Sequence, residues 1–402
     1  MEREIEINGR YFEKSLADLK CLDEFPIEDS SNLTYSQFFE KYLLKNQACL
    51  IRNVSNHWES SKFWVNCALP DFCYLNSKYG DRTVTVQECK KDDDYLQKHK
   101  KPKWKFSEYM KYWEENINKG YPNDIPLYYL KDWHLKNESP DDDFYEVPLY
   151  FASDWINEYL VENCKDDYRF IYMGIKGTWS PFHVDVMTSH SWSTNICGLK
   201  RWVLFPPGEE NYLRDKFGNL PRDIENLKHN RKCFEVLQYP GDAMFVPTNW
   251  HHQVWNPKDT ISINHNWING CNLKQIWLSM EENLSQIKEE IKDCEDMDNF
   301  LDHCQVMLRA LFSLDFTEFY NFILYIACKR IDFVQNGTVI ILPENRRLGK
   351  NHVLFDLWSI NNTLKLFNEH EDIEQISGLK HVKISPKSLM NNIQSTLSHL
   401  NK

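Results

Sequence analysis

Several widespread signatures are missing from this 402-residue chain, and each absence narrows its chemistry. No Cys-x-x-Cys pair occurs among its twelve cysteines, which are scattered from Cys21 to Cys328. Zinc-finger and thioredoxin-type motifs are therefore excluded, and unpatterned thiols of this kind fit a reducing compartment. No run approaches the roughly 20 apolar residues of a bilayer-spanning helix. The charged opening MEREIEINGRYFEK also lacks the apolar centre of a secretory signal. The triplets Asn32-Leu33-Thr34 and Asn336-Gly337-Thr338 thus match the glycosylation pattern by coincidence. Positive charge is in deficit: 47 Lys and Arg against 59 Asp and Glu leave a formal net charge of -12. That is the opposite of the clustered basic surface used to bind nucleic acid. Neither a Gly-x-Ser-x-Gly elbow nor a Ser-His-Asp arrangement stands out, and no internal repeat or long low-complexity segment occurs. The expectation is a soluble cytoplasmic protein with no membrane and no direct nucleic-acid partner.

What the chain does have is 42% hydrophobic and 14% aromatic residues, enough for one large packed domain with appendages or two to three smaller ones. Helical and extended signals alternate upstream. LTYSQFFEKYLLKN spaces Phe38, Phe39, Tyr42 and Leu43 as a helical face, with Thr34 or Ser36 available as a cap. ACLIRNV reads as a buried strand, SKFWVNCALPDFCYLNSKYG as a helix ending at Gly80, and DRTVTVQEC as a strand. The polar run KKDDDYLQKHKKPK predicts a solvated loop; a helix over KFSEYMKYWEENINKG and a strand in PLYYL follow. From about Tyr150 to Trp267 short β runs take over: RFIYMGI, SWSTNIC, RWVLFPPG, CFEVLQYPGDAMFVP, HQVWN and TISINHNW. Their spacing, with Pro, Gly and Asn between them, suits a β-sandwich or barrel. Beyond Asn269 the pattern is helical, and the C-terminal stretch after it is mixed.

Within the β-rich part, SPFHVDVMTSHSW sets His183 and Asp185 two residues apart. A His-x-Asp triplet recurs by chance in long chains, and a lone histidine is more often structural. A second cluster, His251 and His252, lies in PGDAMFVPTNWHHQVWN, where Pro240 and Gly241 mark a tight turn. Two histidines and one carboxylate on one face of an octahedral metal suit non-haem Fe(II), leaving neighbouring positions open. Zinc more often takes further Cys or His, or closes its shell. The plainer reading of the His251-His252 pair is a polar strand end. In GLKRWVLFPPG a turn at Gly198 feeds a strand on which Lys200, Trp202 and Leu204 share a face. An inward lysine costs several kcal/mol unless paired with an anion, which an incoming dicarboxylate would supply. A strand-end lysine reaching water is the commoner alternative.

Together, SPFHVDVMTSHSWSTNICGLKRWVLFPPG and GDAMFVPTNWHHQVWNPKDTISINHNW resemble the JmjC family of Fe(II)- and 2-oxoglutarate-dependent oxygenases. The similarity runs from roughly Asn32 to Asn283, with the motifs in the family's order and spacing. It implies an α+β fold: a double-stranded β-helix barrel, jelly-roll or cupin-like, flanked by N-terminal and C-terminal helices. The implied division is an α/β lead-in over 1–125, the barrel over 126–270 and a mostly helical region over 271–402. The resemblance makes His183, Asp185 and His252 the iron ligands. His252 is preferred because the family ligand falls five residues after the proline matched by Pro247, although many relatives have tryptophan where this chain has His251. Lys200 matches the lysine that pairs with the distal carboxylate of 2-oxoglutarate, and Ser180 a hydroxyl for the same group. Tyr129 matches an upstream phenol, and Asn264 a polar side chain facing the cosubstrate. Relatives often have asparagine where this chain has Ser193, with Asn195 on the same strand face as the alternative contact.

The implied chemistry uses Fe(II), 2-oxoglutarate and O₂, releases succinate and CO₂, and hydroxylates a substrate C–H bond. Within the family, SWSTNICGLKRWVLFPPG and DTISINHNWINGCNL are most similar to a lysyl hydroxylase of eukaryotic peptide-chain release factor one. That factor is therefore the expected protein partner, and translation termination the expected setting. N-methyl-lysine demethylation is one alternative, but the scattered cysteines supply none of the zinc modules usual in larger JmjC demethylases. A catalytically silent binding module is another, and the complete His183/Asp185/His252/Lys200 set argues against it. Relatives often dimerise through helices after the barrel, so CQVMLRALFSL is expected either to pack in its own core or to carry a homodimer contact.

Overall fold

The computed structural model describes residues 4–9, 23–89, 102–227 and 231–399; the expected polar loop falls, as far as Lys101, outside them. Period-two alternation builds the central strands. In TISINHNW, Ile261, Ile263 and Trp267 join the main apolar core, while Ser262, Asn264 and Asn266 fall on the opposite face. Numbered in chain order, nine strands form one sheet: β1 (Ile27–Asp29), β2 (Cys49–Arg52), β3 (Thr83–Glu88), β4 (Lys103–Lys105), β5 (Tyr128–Trp133), β6 (Arg169–Gly174), β8 (His190–Cys197), β11 (Ala243–Val246) and β13 (Thr260–Trp267). Their spatial order is β1-β2-β11-β8-β13-β6-β5-β3-β4, and only the β1–β2 pair is parallel. A facing sheet of β7 (Trp179–His183), β9 (Lys200–Phe205), β10 (Phe234–Gln238) and β12 (His251–Trp255) has the order β7-β12-β9-β10. From β6 onward the chain passes between the sheets at nearly every step, the winding of a double-stranded β-helix. With helices on the outer face of the larger sheet, the fold is α+β, as expected.

Three apolar clusters hold these layers. The largest packs the outer face of the nine-stranded sheet, through Trp192, Ile263 and Trp267, on helices that supply Trp113, Trp155 and Trp277. Burying side chains of this size contributes about 1.5–3 kcal/mol each. A second cluster fills part of the space between the sheets, where Trp202, Leu204, Val236 and Val254 meet Leu50, Met244 and Val246. A third, including Phe182, Phe205, Ile224 and Trp255, covers the outer face of the smaller sheet. The helix Phe300–Phe312 turns Cys304, Leu308 and Phe312 into the main core and leaves Val306 and Leu311 exposed. No helix of the described residues is long and apolar enough to cross a membrane.

Several local expectations change. The helix expected to reach Gly80 is two helices, Glu59–Phe63 and Phe72–Tyr79, separated by a hairpin of Val65–Asn66 and Leu69–Pro70. Pro70 has no N–H to continue a helix, and the Asp71 side chain caps the second one by accepting from the Tyr74 N–H. Inside the stretch expected to be β, Trp155–Asn163 is helical, capped by Asp154. Strand β7 carries no alternating signal and was not anticipated. The mixed C-terminal stretch holds the helices Lys350–Glu369 and Pro386–His399 and a short sheet joining Glu4–Ile5 to Arg346–Leu348.

One turn aims the strand that follows it. Gly198, between β8 and β9, has φ +79°, and a Cβ there would lie 1.9 Å from the Asp259 carbonyl oxygen. Gly198→Ala is expected to lower stability by more than the about 1–2 kcal/mol of a left-handed residue alone. A urea midpoint equal to that of the unaltered protein would contradict this account of the turn.

Candidate metal centre and adjoining pocket

His183 closes β7, and the strand register sets it opposite His252 on β12, with the ring centroids 4.4 Å apart. Alternation along β12 turns His252 inward and His251 to the other face. There His251 lies 5.6 Å from the Phe182 ring, and its Nδ1 is 3.9 Å from Glu210 Oε1. Both inward rings have Nδ1 against a backbone carbonyl: His183 on Pro181 O at 2.7 Å and His252 on Trp250 O at 3.0 Å. A carbonyl only accepts, so each Nδ1 carries a hydrogen and Nε2 is the nitrogen left to face the other donors. Asp185 Oδ1 stands 3.9 Å from His183 Nε2, while Oδ2 accepts from Ser191 Oγ at 2.6 Å. One ligand atom each from His183, Asp185 and His252 lies within 4.8 Å of the others. Burial, together with His252, pushes the His183 pKa down to about 3, so the ring is neutral, as a metal ligand must be.

The backbone after Asp185 turns sharply. Met187 and Thr188 have φ of 56° and 47°, a conformation that costs about 1–3 kcal/mol at each non-glycine residue. The buried Met187 side chain and the Thr188 N–H bond to Asp185 O, 3.0 Å, hold it in place. A second cluster, His134, Asp166 and Asp167, also brings donor atoms together. Its Asp167 carboxylate is already taken by His134 at 2.6 Å and Arg169 at 2.7 Å, and a cation there would compete with that guanidinium.

A polar pocket adjoins these three donors. The Lys200 side chain is 2% exposed, with Nζ 6.0 Å from the Tyr172 ring centroid and 5.9 Å from that of Trp202. No carboxylate of the described residues forms an ion pair with it. Burial, then the nearby Lys131, push its pKa from 10.5 down to about 7. Ser180, buried on β7, accepts from Lys131 Nζ at 3.1 Å. Tyr129, buried on β5, meets the Tyr172 ring edge-on at 6.0 Å and shares a hydrogen bond with Asn256. Ser193 lies opposite Asn264 across β8 and β13, and its buried hydroxyl has no partner among the described residues. Asn195 uses its amide hydrogens on the Gly198 and Gln238 carbonyls, both at 3.3 Å. Of that pair, Ser193 therefore keeps the freer donor. Asn264 donates to the Ser262 carbonyl and hydroxyl, both at 3.2 Å. Trp202, whose ring is 5.5 Å from that of His252, separates the pocket from the apolar cluster between the sheets.

Sequence reasoning missed three residues here: Lys131, Tyr172 and Ser191. Each carries a faint signal. Lys131 follows Tyr129 by two on β5, Tyr172 alternates with Phe170 and Gly174 on β6, and Ser191 shares its face with Ser193 and Asn195.

With this geometry described, comparison with known proteins gives a consistent result. Residues 35–272 match the cupin-like domain family. The chain is 40% identical over 371 residues to the 2-oxoglutarate and iron-dependent oxygenase JMJD4 of Gallus gallus, covering 87% of each protein. It is 41% identical over 372 residues to the JMJD4 homolog of Drosophila melanogaster, 84% of this chain and 87% of the relative. It is also 35% identical over 320 residues to the arginine-specific demethylase JMJ20 of Arabidopsis thaliana, 73% of this chain and 68% of the relative.

Two outcomes follow from the site. His252→Ala is expected to abolish divalent-metal binding in calorimetry, whereas His251→Ala retains it; the reverse order would exchange the two assignments. The second concerns Lys200. Because its folded pKa of about 7 lies below the unfolded 10.5, the unfolded chain binds more protons between those values, so stability rises with pH there. Lys200→Met removes that rise, which denaturation midpoints across the same window will register.

Proposed function

The chain belongs to the cupin-like family of 2-oxoglutarate- and iron-dependent oxygenases, and from that membership we propose that it hydroxylates a lysine of eukaryotic peptide-chain release factor one. It is a dioxygenase, dependent on Fe(II) and 2-oxoglutarate. In this reading the setting is the cytoplasm and translation termination, and His183, Asp185 and His252 hold the iron. The observation that carries the reading is the convergence of two histidine Nε2 atoms and one carboxylate beside a buried ammonium that has no counter-ion among the described residues.

The donor set fits the ion. Two neutral imidazoles and one carboxylate are the ligands non-haem Fe(II) takes, and three donors leave positions for cosubstrate and O₂. When bound, iron with 2-oxoglutarate supplies the activation of O₂ that oxidises a C–H bond, which no side chain achieves alone. The chain's own residues prepare for it. The Pro181 and Trp250 carbonyls orient the two imidazoles, and Ser191 fixes the Asp185 carboxylate. Lys200 offers positive charge to the distal carboxylate of the cosubstrate, and the Ser180 and Tyr129 hydroxyls offer hydrogen bonds. Ser193 and Asn264 line the same pocket from the larger sheet, and Trp202 keeps water out on the apolar side.

A second reading, demethylation of an N-methyl group, draws support from the demethylase named among the relatives. One experiment separates the two. Incubated with release factor one, Fe(II) and 2-oxoglutarate, the enzyme is expected to add one oxygen to a single lysine, and His183→Ala to abolish the addition. Formaldehyde release from methylated peptides with no oxygen retained would favour demethylation. Failure to form succinate under any condition would instead leave a silent binding module.

A further inference from the structure

We propose that Lys131 is a second cation for the distal carboxylate of the cosubstrate, acting with Lys200 to select a dicarboxylate. The proposal rests on the reading of this pocket as the 2-oxoglutarate site. The two ammonium groups enter from opposite sheets, Lys131 on β5 and Lys200 on β9. Both lie near the Tyr172 ring, whose centroid is 5.2 Å from Lys131 Nζ and 6.0 Å from Lys200 Nζ. Lys131 Nζ is also 5.7 Å from the Tyr129 ring and donates to Ser180 Oγ at 3.1 Å. Tyr129 and Ser180 are two hydroxyl residues that the family resemblance assigns to the cosubstrate, so an anion reaching them is within reach of Lys131.

Charge balance points the same way. Lys131 acts on Lys200 by repulsion, adding to the effect of burial. An anion within reach of both ammonium groups offsets that mutual repulsion. A carboxylate accepting from both, with Ser180 as a third donor, removes that repulsion, and charge-assisted bonds of this kind are about twice as strong as neutral ones. A 2-oxo acid without the distal carboxylate leaves the repulsion in place. Lys131 thus contributes to selectivity rather than to the oxidation step.

The test reads binding without turnover. Calorimetry with Mn(II) in place of Fe(II), and no protein substrate, gives the 2-oxoglutarate affinity of the wild type and of Lys131→Met, Lys131→Gln, Lys131→Arg and Ser180→Ala. Loss of the charge is expected to weaken 2-oxoglutarate binding about ten- to a hundredfold, with Lys131→Arg recovering most of it. Binding of 2-oxobutyrate, which lacks the distal carboxylate, stays nearly unchanged. The loss persists when Lys131→Met is combined with Ser180→Ala, as direct contact requires. Thermal unfolding midpoints identify any variant that does not fold, and the Gln and Arg variants then carry the comparison. Unchanged 2-oxoglutarate affinity in the neutral variants would overturn the proposal. So would an equal loss for 2-oxobutyrate, or a loss that disappears in the Ser180→Ala background. If the wild type itself binds no 2-oxoglutarate, the cosubstrate reading falls, and this proposal with it.

Discussion

Neighbouring residues of a β-strand face opposite ways, and the middle of the larger sheet uses this to keep two incompatible surroundings one residue apart. On β8, Trp192 points outward and stacks on Phe151 at 5.4 Å, while Ser191 beside it points inward and holds Asp185. On β13, Ile263 lies in the dry core and Asn264 faces the pocket. A slip of one residue would exchange these roles along the whole strand. The pairing of Ser193 with Asn264, and of Ser262 with Tyr172, therefore positions both the helices outside and the donors inside. The same rule on β12 separates His252 from His251.

The inner space is itself divided. Part of it is filled by Leu204, Val236, Met244 and their neighbours. The rest is lined by hydroxyls, amides and two lysines, with the Trp202 indole as partition and its Nε1–H committed to Gln238 Oε1 at 2.8 Å. The cost of burying this ammonium, to which Lys131 adds, shows as a pKa lowered to about 7. The helical side meets the same difficulty differently. Arg330, fully buried, bonds Glu158 and Asp356 from two other helices and needs no ligand to complete it. The contrast between a paired and an unpaired buried cation sets the pocket apart from ordinary structural burial.

Much of this was legible in the sequence, for identifiable reasons. TISINHNW alternates because it has one wet and one dry face, and it became β13, whereas RWVLFPPG is apolar on both faces of β9, with Trp202 and Leu204 between the sheets and Val203 and Phe205 outside. Strand β7 did not announce itself, since Pro181 and the ligand run break its alternation. The helix Trp155–Asn163 is short and rich in residues that also favour strands. Its determinant is the Asp154 cap, which reads equally well as a turn residue. Lys131 carries no local signal of its place, because Tyr172 and Ser180, which meet it, are distant in sequence. Ser191 was invisible for a related reason: its bond to Asp185 depends on the left-handed Met187 and Thr188 between them, a path no propensity predicts.

Strand β7 lies at the margin of the smaller sheet, with β12 as its one sheet neighbour among the described residues and a register shift between Ser180 and His183. It ends in one proposed ligand and leads directly to another, while the third stands on β12. An ion gripped by all three would also be a clasp, fastening a loose margin to the body of the sheet. Iron supply then has a mechanical side. A molecule deprived of the metal would present a freer strand margin, the kind of surface on which other chains assemble. Loss of activity and loss of solubility would share one origin.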